Sequence, residues 1–90
     1  MNDPRRKAIA EVSEKIQECY DKLEELKEQI EEIKGEEEEY KDNMPENMQQ
    51  SERYEKAETA VSSMEEAVSA IETAQSELED VIGELETAAE

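Results

Sequence analysis

Ninety residues with a formal net charge of −18, from 28 acidic and 10 basic side chains, exclude phosphate binding as the main activity and disfavour an anionic membrane surface. With no His and a single Cys, histidine-based catalysis, zinc ligation and an internal disulfide all drop out. No Trp or Phe is present, so a long helix–helix interface is the expected way to bury apolar surface, rather than a compact ball. Charged residues make up 42% of the chain, a level at which disorder competes, but the apolar residues are periodic, and disorder gives no reason to keep a seam.

In chain order, Asn2-Asp3-Pro4 reads as a helix start, with Asp3 as cap and Pro4 in the first turn. Apolar residues then fall at Ile9, Val12, Ile16, Cys19, Leu23, Leu26, Ile30 and Ile33, in alternating steps of three and four. In heptad letters this places Ile9, Ile16, Leu23 and Ile30 at a, with Val12, Cys19, Leu26, Ile33 and Tyr40 at d. Glu37 is the polar intruder at a. Cys19 at d is expected to be an inert core thiol.

Pro45 removes a donor and bars helical geometry at Met44, so the first helix is expected to end near Lys41. Pro45 to Gln49 reads as a helical turn, Met44 and Met48 as a cover over the seam's end, and Ser51 as the next cap. The second seam runs Tyr54, Ala57, Val61, Met64, Val68, Ile71, Gln75, Leu78, Ile82, Leu85 and Ala89, again a and d.

Two such helices joined by a short elbow predict an all-α fold: an antiparallel coiled-coil hairpin. It forms one domain, 1–90, with helices over about 4–41 and 52–88 and an elbow at 42–51. Facing residue numbers are expected to add to 94, placing Tyr40 on Tyr54, Ile33 on Val61, Leu23 on Ile71 and Cys19 on Gln75. On one edge Lys27, Lys34 and Lys41 face Glu58, Glu65, Glu72, Glu79 and Glu86, all at e. Glu36 can reach Arg53 on the other edge. Exposed pairs of this kind contribute roughly 0.2–1 kcal/mol each, so they select orientation more than they create stability.

Two unlike outer surfaces remain. The first helix carries Glu11, Glu14, Glu18, Asp21, Glu25, Glu28, Glu32 and Glu39 on its outward face. A solvated face that maintains solubility is one reading of this row. The other is a mimic of a nucleic-acid backbone that binds a protein with a basic surface. About 40 residues of helix span roughly 60 Å, so eighteen net charges give about one per 3.3 Å, near a single strand and short of a duplex. The second helix carries a strip of small residues, Ala60, Ala67, Ala70, Ala74 and Val81. Close approach within the hairpin, pairing of two hairpins into a four-helix bundle, and docking of a foreign helix are all open there.

The elbow Asp42-Asn43-Met44-Pro45-Glu46, followed by Gln49 and Ser51-Glu52-Arg53, resembles a family of small acidic proteins from phages and mobile elements of Gram-positive bacteria. Met48 and Gln50 stand where that family carries Leu and Gly. The resemblance implies a viral or mobile-element setting, in which small acidic proteins block host defence nucleases; it implies no specific activity. The elbow tip (Met44, Pro45, Glu46, Met48) reads either as a structural corner or as a contact site.

The Glu36–Glu39 run lacks the loop spacing of a calcium site, and no Gly-rich phosphate loop is present. The expectation is a cytoplasmic, non-catalytic interaction protein without cofactor or metal. Inhibition of a host nucleic-acid-binding protein and self-assembly as a structural scaffold, a homodimer in either case, are its two forms.

Overall fold

The computed structural model describes residues 2–90, which form a helical hairpin. Helix α1 spans Asp3–Asp42, a 3-10 helix covers Glu46–Met48, and helix α2 spans Glu52–Ala88. No strand occurs among the described residues. The cap of α1 is Asn2 rather than Asp3, for the Arg5 N–H donates to Asn2 Oδ1 at 3.0 Å. Asp3 instead lies in the first turn, where its carboxylate favours the positive end of the helix dipole and pairs with Arg6 at 3.2 Å.

Packing divides the hairpin into a loop-end unit, Leu26–Ala70, and a terminal unit in which the chain up to Glu25 pairs with Ile71–Glu90. In the loop-end unit Pro45 occupies the cap position of the 3-10 helix at φ −59° and ψ 151°, without a side-chain cap bond. The Ser51 hydroxyl donates to the Met48 carbonyl at 2.6 Å and accepts the Tyr54 N–H at 3.3 Å, closing the elbow and starting α2. Met44 is buried and Met48 half-buried, so the elbow turns both thioethers inward.

The α2 seam follows its a and d rows: Ala57, Val61 and Val68 are buried, and Tyr54, Met64 and Ile71 are half-buried. The α1 seam departs from the expected pattern. Its a row is half-buried throughout, but its d row (Val12, Cys19, Leu26, Ile33 and Tyr40) is exposed. The e row takes its place, with Arg6, Ser13, Tyr20, Lys27, Lys34 and Lys41 all half-buried. Relative to an a/d seam, α1 is turned by about half the angle between successive residues, roughly 50°, toward its e edge.

Contacts on that edge account for the turn. In the terminal unit the Arg6 guanidinium donates to the carbonyls of Ala89 at 3.0 Å and Glu90 at 2.9 Å, serving acceptors at the end of α2 that the helix itself leaves open. Gln75, only 4% exposed, donates its amide to the Tyr20 carbonyl at 3.3 Å and to Glu24 Oε2 at 3.0 Å. In the loop-end unit Lys34 lies 3.8 Å from Glu65, and Lys41 sits over the Tyr54 ring at 6.0 Å. The Lys and Arg stems cover seam as well as any aliphatic chain, while their heads reach water or a partner.

The e row of α1 takes the partners expected of its d row. Lys41 with Tyr54, Tyr20 with Gln75 and Arg6 with Ala89 each add to 95, one more than expected. Tyr40 therefore does not cap Tyr54, and Cys19 is neither opposite Gln75 nor in the core.

Candidate contact surfaces

A helix shows solvent whatever its partner does not cover. Turning α1 toward e leaves its b, c and f positions outward and frees the d row as well. Glu11, Glu14, Glu18, Asp21, Glu25, Glu28, Glu32 and Glu39 are all exposed. Two of them have short-range partners on the same helix: Glu25 pairs with Lys22 at 3.4 Å, and Asp21 accepts from Gln17 at 3.2 Å. Lys34, half-buried on the seam edge, serves Glu38 and Glu65 at 3.8 Å instead, so its charge sits away from the outward face. Glu24, although acidic and at an outward position, is drawn in by Gln75 and is half-buried. The sequence placed Gln75 opposite a thiol, so its cross-helix bond was missed. The available signal was a lone amide in an otherwise apolar a row.

The small strip of α2 is divided. Ala67, Ala70 and Val81 are exposed, whereas Ala60 and Ala74 are half-buried. Ala60 and Ala74 therefore contribute partly to the hairpin itself, and only part of the strip is left for another molecule. A Cβ at Gly83 would meet nothing within 4 Å, so that glycine marks no close helix approach.

The largest apolar exposure lies on α1 instead. Val12, Leu26, Ile33 and Tyr40 are between 38% and 54% exposed, and with Cys19 they form one row at heptad spacing. Periodicity had marked these residues; reading them as core is what the structure corrects. At the elbow Met44 is buried and unavailable as a contact, leaving Pro45 and Glu46 exposed and Met48 half-exposed.

The terminal unit also holds a surface groove of about 360 Å³, lined by Ile9, Ser13, Gln17, Ile82, Leu85 and Ala89 among others. It forms where small Ser13 occupies the seam between larger neighbours. Glu14 and Glu86 also line it, and no metal-holding cluster of His, Cys, Asp or Glu occurs among the described residues. No helix among them is long and apolar enough to cross a membrane.

Comparison with protein-family models gives no match, and comparison with curated proteins and with solved structures gives none either. The functional reading therefore rests on the surfaces themselves.

Proposed function

We propose that this protein is a non-catalytic interaction protein that binds the basic surface of a protein partner through the carboxylate face of α1, in competition with nucleic acid. The observation that carries this reading is the exposure of all eight outward carboxylates, while Lys27, Lys34 and Lys41 are half-buried at the seam edge. Such a face attracts excess Lys and Arg and repels phosphates, so its partner is a protein that itself holds nucleic acid. The resemblance of the elbow adds a phage or mobile-element setting, where that partner is a host defence protein.

The test is capture from bacterial lysate on immobilised protein, followed by salt and DNA competition on the captured species. Replacing Glu18, Glu25 and Glu32 with Gln is expected to weaken capture at least tenfold and to flatten its salt dependence, and single-stranded DNA is expected to displace the partner. Capture that is salt-insensitive and unchanged in the triple variant overturns the reading.

Assembly of hairpins into a bundle is the second reading. It is favoured by one specific observation, the exposed row of Val12, Leu26, Ile33 and Tyr40, which a lone hairpin leaves uncovered. Apolar rows of this kind mark contact with another chain more often than scattered surface residues do.

A further inference from the structure

We propose that a second copy of this chain covers the exposed row of α1, and that it does so with its α2 rather than its α1. The inference rests on the assembly reading above and specifies how two hairpins meet. In the loop-end unit, Leu26, Ile33 and Tyr40 of one copy seat on Ala67, Ala60 and Arg53 of the other, and the contact is repeated by symmetry.

The wheel positions supply the first argument. Lys34 meets Glu65 on one edge of the loop-end unit, so the d row of α1 and the g row of α2 share the opposite edge. There α1 presents large side chains, Leu26 at 38% and Ile33 at 54% exposure, while α2 presents exposed Ala67 and half-buried Ala60. Large residues on small ones keep the interhelical distance uniform along the contact. Packing α1 on α1 would set Leu26 and Ile33 against equally large residues, leaving alanine against alanine on the other side.

Charge supplies the second argument, and it decides the choice. Next to the row, α1 carries Glu25, Glu32 and Glu39, all exposed. Two α1 helices in contact would bring two carboxylate rows together. On α2 the corresponding positions are Lys56, Ser63 and Ala70, with Arg53 beside Tyr40's level, all exposed and none acidic. The α1-on-α2 arrangement replaces repulsion with Arg53 and Lys56 facing Glu36 and Glu39 of the second copy, and it sets Arg53 near the Tyr40 ring. In the terminal unit the flanking signs are reversed, and the contact argued here is confined to the loop-end unit. Lys15 and Lys22 flank Val12 and Cys19, while Glu77 and Glu84 flank Val81 on α2.

The test measures mass first and geometry second. Light scattering at micromolar concentration is expected to give about twice the 10.3 kDa chain mass. Ile33→Lys is expected to weaken the dimer at least a hundredfold with helicity retained, since that side chain is outside the hairpin seam. Single-cysteine variants in a Cys19→Ser background then report the arrangement. A mixture of Ile33→Cys and Ala60→Cys chains is expected to form a mixed disulfide, and Leu26→Cys alone is expected to form none. A monomeric wild type overturns both the assembly reading and this inference. A dimer in which Leu26→Cys crosslinks to itself, or in which the mixed disulfide fails to form, overturns the α1-on-α2 contact and leaves assembly standing.

Discussion

α1 and α2 carry the same alternation of apolar residues, yet α2 contains Ala57, Val61, Val68 and Gln75 as buried residues and α1 contains none. The two helices meet along one seam, so the difference lies in what each brings beside it. Next to its a and d rows α2 has glutamates on one side and alanines on the other, and only one rotation hides its bulk. α1 has apolar residues at d and long Lys and Arg stems at e, so two rotations bury comparable amounts of carbon. The cation and amide contacts on the e edge then decide between them. A wide amphipathic face does not by itself say which stripe the partner covers.

The sharpest way to break this comparison is to place a charge in the α2 core. Val61→Asp introduces a carboxylate at a site 7% exposed, and a loss of about 3–4 kcal/mol is expected, enough to abolish cooperative helicity at 37 °C by circular dichroism. A variant that melts within a few degrees of the parent would show that α2 is not the buried partner. The next largest effect separates the two possible stripes of α1. At concentrations where the chain is monomeric, Ile30→Ala is expected to cost about 2 kcal/mol and Ile33→Ala under about 1, read as urea midpoints. Equal losses would restore the a/d seam.

Smaller effects sharpen the account of the ends and the polar contact. Ser51→Ala removes the α2 cap and should lower stability by about 1 kcal/mol, whereas Ser51→Asp should recover most of it. Gln75→Leu keeps the volume and deletes the buried amide, so a change within about 1 kcal/mol is expected, against about 2 for Gln75→Ala, which also leaves a void. Lys34→Met should change stability by a few tenths of a kcal/mol, because the stem does most of the covering and the exposed ion pair contributes little. A large loss there would give the Lys34–Glu65 pair a greater share in fixing the rotation of α1.

Much of the fold was legible in the amino-acid order. Pro45 and Ser51 mark the elbow, the 3–4 spacing marks both helices, and the a and d rows of α2 are the ones that pack. Where the e row of α1 takes the place of its d row, the partner on α1 lies one residue further along, as with Lys41 rather than Tyr40 at Tyr54. This rotation of α1 is not legible because Lys27, Lys34 and Lys41 can act at e either by their charges or by the four carbons that carry them. Arg6, in the same e row, serves the carbonyls at the end of α2 with its guanidinium, a contact that no spacing in the sequence marks. The eight outward carboxylates are exposed as their positions on the helix imply, but Glu24, also outward by position, is drawn in by Gln75. The apolar contact row was visible as a pattern but assigned to the interior, since a two-helix model has nowhere else to put it.

The surface position of Cys19 gives the unmodified chain a single reactive handle. One maleimide dye or nitroxide label attaches there without engineering, one heptad before Leu26, and so reports whether a neighbour's cover reaches beyond the loop-end unit. Its labelling rate, followed against protein concentration, then works as a footprint of coverage, with the free hairpin fast and the covered one slow. A distance between two such labels in an assembled pair would measure how the copies are set without altering any side chain in the contact beyond the labelled thiol itself.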